Sequence, residues 1–243
     1  MQHADETREF QKENIKMRDH RTISIADQIF EQLQNEILSG KYKKGEVLSE
    51  AKLSEELGVS RTPVREAVRR LEQDRILDET GHGIVVVGIS AEDMLDMYDI
   101  RIQLEGQAAA RAAKNVTDEE LSKMQEVIEL QKFYTDKQGD PSSKSENIRD
   151  MDSTFHELMY QASGSVVYHD TLSNIHKKIL KFRKASVSDK SRAELSYEEH
   201  LAILEALRLH EPELARSRAV QHIINARDNI KKRLDKMEEE KEA

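Results

Sequence analysis

The sequence contains no cysteine and no tryptophan, and its 243 residues include only three prolines and nine glycines. Without cysteine there is no disulfide bond, no iron–sulfur cluster and no thiolate zinc site, so any metal ion must be held by nitrogen and oxygen atoms. The low proline and glycine content disfavours a loop-rich or all-β protein. Together with 35% charged residues it predicts a mainly α protein with a core of limited size.

Long apolar runs are also missing. The first residues, MQHADETREF, lack the apolar segment of a signal peptide, and no stretch approaches the roughly 20 apolar residues that cross a membrane. We therefore expect a cytoplasmic protein with no membrane partner. The net charge of −9 argues at first against nucleic-acid binding, because neutralised phosphates supply much of the affinity for DNA. A basic surface can nevertheless belong to an acidic chain, so the positions of the arginines decide the question.

The pattern of apolar residues divides the chain into three parts. Residues 1–22 are polar and aperiodic, and we interpret them as a flexible leader. Residues 23–89 combine short helical patterns with a hairpin, whereas residues 90–243 show helical patterns alone, so we predict two domains with these limits. The predicted helices of the second domain span residues 91–114, 117–134, 146–163, 167–187, 195–209 and 211–238. A polar stretch over 137–145 is predicted to be a loop.

Three helices are predicted in the first domain. Apolar residues recur at every fourth position over Ile25–Ile37, and Ser39–Gly40 marks the end of this helix. Ser49 is suited to cap a second helix, which ends at Gly58. After a short turn a third helix begins at Ser60. The second and third helices, joined by a glycine-containing turn, form a helix-turn-helix signature.

A hairpin is predicted to follow the third helix. Ile84–Val87 is a β-branched run that suits a strand, and the tight turn at 81–83 lets it pair with a short strand that starts at Ile76. The segment 41–48 is predicted to be a loop or a short extended piece. The hairpin would then form a wing beside the three helices.

Basic residues lie at the start of the third helix. Arg61, Thr62 and Arg65 occupy the part of a recognition helix that reaches base edges in the major groove. Arginine pairs bidentately with guanine, and threonine meets a phosphate or a thymine methyl group. The alternative, a solvated arginine-rich face, does not account for the turn, the cap and the wing that accompany it. The sequence therefore predicts a DNA-binding helix.

Residues 23–88 resemble the winged helix-turn-helix of the GntR family, most clearly in the stretch GVSRTPVREA. The resemblance implies that double-stranded DNA is contacted by the recognition helix and by the wing tip, at Arg61, Thr62, Arg65, His82 and Gly83. Ala51 departs from the pattern, because many members have an arginine there. We therefore expect one contact to DNA to be missing.

Several histidines of the second domain are candidates for a metal site. Asp152 and His156 are four residues apart in a helical stretch and project from one face. His200 and His222 lie in other predicted helices and could converge on the same ion across a bundle. Three imidazoles and one carboxylate suit Zn²⁺ best, with Ni²⁺ or Mn²⁺ as further possibilities. Spacing alone does not select four residues from three helices, because most histidines have ordinary structural roles.

Residues 91–238 resemble the helical FCD domain of the FadR subgroup of GntR regulators, in the Asp-x-x-x-His at 152–156, the Glu-His at 199–200 and the histidine at 222. The resemblance implies that a divalent ion, Zn²⁺ foremost, is held by Asp152, His156, His200 and His222, and that a small organic acid binds beside it. Arg101 matches a position that often faces this cavity, and a salt bridge from Arg101 to Glu105 is equally expected. Ordinary surface or core roles are assigned to His3, His20, His169, His176 and His210.

These features predict a homodimeric transcription regulator, most simply a repressor, that binds a pseudo-palindromic operator and responds to the acid. No catalytic role is expected. One rival hypothesis is a metal-dependent enzyme acting on a small carboxylate, because such a site can activate water. No residue stands out as its general base, however, and the winged domain would be unexplained. A second rival is a helical interaction scaffold with a nucleic-acid tether.

Overall fold

The computed structural model describes residues 24–38, 40–81, 83–136, 141–186 and 190–242. These residues form nine α-helices and one three-stranded sheet, so the predicted mainly α fold class is confirmed. The leader predicted at residues 1–22 and the wing-tip residue His82 lie outside them. The chain divides into two compact units, and the boundary along the sequence falls between Gly88 and Ile89. No helix within the described ranges is long and apolar enough to span a bilayer.

The elements of the first unit are α1 (Ile25–Leu38), β1 (Val47–Leu48), α2 (Glu50–Leu57), α3 (Arg61–Gln73), β2 (Leu77–Thr80) and β3 (Gly83–Val86). Each helix contributes to one shared core, in which Leu33, Leu53 and Leu71 are fully buried. Helix α2 starts where the Ser49 side chain accepts a hydrogen bond from a backbone N–H of the first turn. It ends at Gly58, whose φ of 66° is easy for glycine because it has no Cβ.

The sheet forms the wing and has the strand order β1-β3-β2, with both pairs antiparallel. The segment 41–48 supplies β1, in which Val47 lies opposite Val85. At the tip, Thr80 lies opposite Gly83. Gly83 has a φ of 129°, and a Cβ on it would come within 2.8 Å of the Val47 side chain. Glycine is therefore required here by the backbone and by the packing of β1.

The elements of the second unit are α4 (Ala91–Asn115), α5 (Asp118–Asp136), α6 (Pro141–Ala162), α7 (Val166–Ser186), α8 (Lys190–Arg208) and α9 (Pro212–Glu242). The predicted loop over 137–145 is wrong for residues 141–145, which belong to α6. Proline suits the first position of a helix, since its missing N–H has no partner there in any case. Helices α8 and α9 also extend further than predicted, because their polar ends favour helix without showing apolar periodicity.

The core of the second unit is built around α4, which turns an alanine face toward its neighbours: Ala108, Ala109, Ala112 and Ala113 are fully buried. Gly106 lies on the same helix, and a Cβ there would come within 2.7 Å of the Val220 side chain on α9. Small residues thus let the two long helices pack closely. This packing places buried positions of α4, α6, α8 and α9 near one another in the bundle interior.

Candidate DNA-binding surface and metal centre

Helix α3 presents its basic residues to solvent. Arg61, Thr62 and Arg65 are exposed, whereas Val64 and Val68 on the opposite face are buried in the core. The first turn of α3 carries no acidic residue, and the backbone N–H groups at a helix start favour phosphate. The three residues predicted to contact DNA therefore share one accessible surface at the N-terminal end of the helix.

Arg65 is held in place by the preceding helix. Its Nε donates to Glu50 Oε1 at 2.8 Å and its Nη2 donates to Glu50 Oε2 at 2.7 Å. Hydrogen bonding from Arg65 lowers the pKa of Glu50. The paired side chain of Arg65 remains 56% exposed, so the ion pair fixes the direction of the guanidinium without burying it. Glu50 thus orients a predicted base-reading side chain and offsets part of its charge.

The wing tip contributes one described residue, Gly83, whose carbonyl accepts a hydrogen bond from Thr80 Oγ1 at 2.9 Å. Because Gly83 is already required by the sheet, its presence is explained without DNA. Ala51 lies exposed on α2, so this face has a methyl group where the family pattern has a cation.

The four predicted metal ligands come together inside the second unit. Asp152 and His156 lie on α6, His200 on α8 and His222 on α9, and one ligand atom from each lies within 4.8 Å of all the others. The two Nε2 atoms of His156 and His222 are 3.1 Å apart. His200 Nε2 is 3.7 Å from Asp152 Oδ1. The three imidazoles are almost completely buried, with at most 3% of each residue exposed.

Two of the imidazoles have a hydrogen-bond acceptor at the other ring nitrogen, and the third has a carboxylate nearby. His200 Nδ1 lies 2.9 Å from Gln131 Oε1, and His222 Nδ1 lies 2.6 Å from Glu199 Oε2. The Nδ1 of His156 faces Glu105 Oε2 at 3.5 Å. Such acceptors favour a proton on Nδ1 and leave the lone pair on Nε2, which is the arrangement found behind metal-bound histidines.

Burial favours the neutral form of two imidazoles of the cluster, His156 and His200. Burial, with a contribution from His222, lowers the pKa of His200 to about 3, and burial with Arg101 nearby lowers that of His156 well below its usual value. Burial would raise the pKa of Glu199, but hydrogen bonds from His222 and Arg192 outweigh it and bring the pKa to about 2. His156 and His200 are therefore neutral nitrogen donors, and Glu199 is a carboxylate behind His222.

The donor set fits a first-row divalent ion. His200 Nε2 is buried and has no hydrogen-bond partner among the described residues, which is costly unless another group binds it. Neutral imidazoles and one carboxylate are ligands that Zn²⁺ and its neighbours accept. The convergence of these atoms is thus better explained by a cation than by ordinary core packing.

Arg101 and Glu105 adjoin this cluster from α4. Arg101 Nε donates to Glu105 Oε1 at 2.7 Å, and both side chains are almost fully buried. Burial would lower the pKa of Arg101, but the Glu105 carboxylate outweighs it and raises the pKa, so the guanidinium stays charged. Tyr160 donates a hydrogen bond to the same carboxylate. The salt bridge is therefore present, and through Glu105 it also reaches His156.

His176 is a neighbour of the cluster that the sequence pattern did not single out. It lies on α7, is 5% exposed, and belongs with Glu105 and His156 to a second set of ligand atoms lying within 4.8 Å of one another. Leu172 and Ile179 on the same helix are buried as well. They lie four residues before and three residues after His176, so the helical repeat places His176 on the buried face. This spacing is the feature of the sequence from which the burial of His176 could have been predicted.

A winged helix-turn-helix followed by a helical bundle with a buried histidine cluster defines a DNA-binding regulator of bacterial type. The model of the gntR family of bacterial regulatory proteins matches residues 25–86, and that of the FCD domain matches residues 96–225. The chain belongs to the GntR family of transcription regulators, with an FCD domain as its C-terminal part.

Relatives of nearly full length support this assignment. YdhC of Bacillus subtilis (strain 168), an HTH-type transcriptional regulator, is 29% identical over 213 residues, covering 87% of this chain and 93% of YdhC. RspR of Escherichia coli (strain K12), an HTH-type transcriptional repressor, is 24% identical over 211 residues, covering 86% of this chain and 90% of RspR. The solved structure of McbR/YncC from E. coli has a similar fold, with a TM-score of 0.63 at 22% identity, covering 86% of this chain and 98% of that one.

Proposed function

We propose that this regulator is a repressor whose DNA binding is controlled by a small organic acid, and that the acid binds beside a divalent metal ion. The observation that carries the proposal is the convergence of three buried imidazoles and the Asp152 carboxylate, with acceptors facing the outer ring nitrogens. The name of RspR, a transcriptional repressor, supports the direction of control. Residues 23–89 would bind DNA, and residues 90–243 would bind the ion and the acid and form a homodimer.

The ion would be held by Asp152, His156, His200 and His222. Zn²⁺ suits these ligands, and Ni²⁺ or Mn²⁺ would be alternatives. When bound, the ion supplies a positive charge and an open position that a carboxylate oxygen can occupy. A carboxylate has few other ways to be stabilised in so buried a place, because burying an unpaired charge is expensive.

Arg101 would contribute the second positive charge that the acid meets. Its guanidinium stays charged beside Glu105, and Glu105 faces His156. Arg101 is thus linked through Glu105 to His156, one of the proposed metal ligands. An acid that contacts Arg101 would therefore also alter the surroundings of His156. Arg101 lies on α4, which begins at Ala91 directly after the first unit, so a shift of α4 is a direct route for coupling the two sites along the chain.

A groove between α6 and α7 offers a path to the cluster. It has a volume of about 480 Å³, and its lining includes His176 and Tyr160, which also belong to the network around Glu105. Lys177 adds a cation to its wall, and Ser173 donates its hydroxyl to the Glu157 carboxylate of the same wall. Because Lys177 attracts a carboxylate and His176 adjoins the cluster, we propose this groove as the entrance for the acid.

DNA would be read by Arg61, Thr62 and Arg65 in the major groove, with one recognition helix per half-site of the operator, in the cytoplasm where bacterial DNA lies. The wing tip, His82 and Gly83, would contact the DNA beside it. The exposed basic end of α3 supports this orientation.

The proposal is tested with the full chain and a duplex selected from a random library. A panel of organic acids is screened by thermal unfolding with and without a chelator, since a ligand that binds the folded state raises the unfolding temperature. We expect a stabilising acid whose effect disappears on chelation and which changes the affinity for the selected duplex. His222→Ala should abolish the response to acid and retain DNA binding, whereas His210→Ala, which loses only a hydrogen bond to Ala113 outside the cluster, should keep the response to acid.

Two results would contradict the proposal. If no duplex sequence is enriched, the regulator hypothesis fails in its DNA-binding part. If the metal-loaded chain turns over a stabilising acid at a steady rate, the metal-dependent enzyme becomes the better hypothesis.

A further inference from the structure

His176 lies beside the cluster and forms, with His156 and Glu105, a second set of converging ligand atoms. Its Nε2 lies 3.7 Å from Asp152 Oδ2, just as His200 Nε2 lies 3.7 Å from Asp152 Oδ1. The Asp152 carboxylate thus sits between the two imidazoles and turns one oxygen to each. No ordinary packing requirement calls for this symmetry.

The ring positions around His156 give a second, independent comparison. The centroid of the His156 ring is 5.2 Å from that of His200 and 5.1 Å from that of His222. The His176 ring lies at 4.9 Å, equally close. Three imidazoles therefore surround His156 with ring centroids between 4.9 and 5.2 Å from its own.

We infer that His176, through Nε2, is a fifth protein ligand of the divalent ion, and this inference rests on the metal site of the proposed function. The ion would then be bound by four imidazole nitrogens and one carboxylate. Five donors exceed the four of a closed zinc site and suit ions that accept six ligands, Ni²⁺ and Co²⁺ in particular. One position remains for a carboxylate oxygen or water. Because His176 also lines the α6–α7 groove, α7 would connect the entrance directly to the ion.

The test compares the metal-stripped full chain with His176→Gln, which keeps a polar side chain at the site. Ni²⁺, Co²⁺ and Zn²⁺ are titrated separately, with stoichiometry and affinity measured by equilibrium dialysis and metal analysis. We expect one ion per chain. Loss of an outer-shell partner lowers metal affinity by roughly 10- to 100-fold. Loss of a direct ligand in His176→Gln should lower the affinity for Ni²⁺ and Co²⁺ by at least as much. The affinity for Zn²⁺ should fall less. The visible absorption of the Co²⁺ form should become more intense, because four-coordinate cobalt absorbs more strongly than six-coordinate cobalt.

His169→Gln is the matched control, since His169 lies on the same helix and pairs with Glu157 and Asp170 outside the cluster. Circular dichroism and thermal unfolding of the metal-free proteins establish whether both variants are folded. If His176→Gln does not fold, His176→Asn takes its place. An unchanged Co²⁺ spectrum and affinity in a folded His176 variant would overturn the fifth-ligand assignment and leave the four-ligand site intact. Two ions per chain would overturn it in favour of a separate site at Glu105, His156 and His176. Absence of binding by the unmodified chain would instead remove the proposed metal site itself.

Discussion

At the scale of single residues, the side chains behind the ligands matter as much as the ligands. Glu199 accepts a hydrogen bond from His222 Nδ1 at 2.6 Å and is itself held by Arg192 and Asn225. This hydrogen bond fixes the orientation of the His222 ring. Glu199 directly precedes His200 in the sequence, but its partner is His222, which lies twenty-three residues after Glu199.

We predict that Glu199→Gln weakens metal binding by about 10- to 100-fold, the usual effect of losing an outer-shell carboxylate. The physical reason is that a neutral amide orients the imidazole less firmly and donates less electron density through it. Isothermal titration with Zn²⁺ or Ni²⁺ measures the change. Glu205→Gln, an exposed position on the same helix that pairs with Arg208, should leave the affinity unchanged. Equal affinities for all three proteins would show that Glu199 has no role in positioning His222.

At the scale of secondary-structure elements, the second and third helices act as a pair. Helix α3 supplies the arginine and α2 supplies Glu50, which receives two hydrogen bonds from Arg65. A surface ion pair of this kind contributes little to stability, at most about 1 kcal/mol. Its effect on the direction of Arg65 is more important, because bidentate contact with a base requires a defined orientation.

We predict that Glu50→Gln reduces discrimination between the selected duplex and a random duplex without reducing overall affinity. Removal of a negative charge strengthens phosphate attraction, while loss of the ion pair leaves Arg65 in many orientations. Fluorescence anisotropy with both duplexes at two salt concentrations measures the ratio. Glu55→Gln removes the same charge from an exposed position of α2 and serves as control. A specificity ratio that stays constant in Glu50→Gln would exclude an orienting role for Glu50.

At the scale of the whole molecule, the two units have separate hydrophobic cores, and the four proposed metal ligands all belong to the second. The ligands come from α6, α8 and α9, so an unfolded chain does not present them together. Binding should therefore favour the folded second unit selectively.

We predict that Zn²⁺ or Ni²⁺ at 100 times its dissociation constant stabilises the second unit by about 2.7 kcal/mol. The first unit should unfold at an unchanged temperature because it holds none of the ligands. Scanning calorimetry of the full chain, with and without chelator, measures the unfolding temperatures of both units. His222→Ala should remove the stabilisation, and a shift that persists in this variant would place the ion elsewhere.

The family pattern in the sequence was enough to select Asp152, His156, His200 and His222, and the structure brings their ligand atoms together. It was not enough for His176, because a histidine on a buried helix face has no local signature that separates a ligand from a core residue. The start of α6 at Pro141 was missed for a related reason: a polar first turn lacks the apolar repeat that reveals a helix.

What the sequence determined by itself was local: the helical repeats, the cap at Ser49 and the stretch that marks the recognition helix, since these depend on residues within one or two turns of each other. Tertiary structure alone decided which side chains meet. The partnership of His222 with Glu199, and the positions of Glu105 and His176 beside His156, join residues from five helices. Such contacts depend on how the helices pack, and close packing at Gly106 and the alanine face of α4 sets that arrangement.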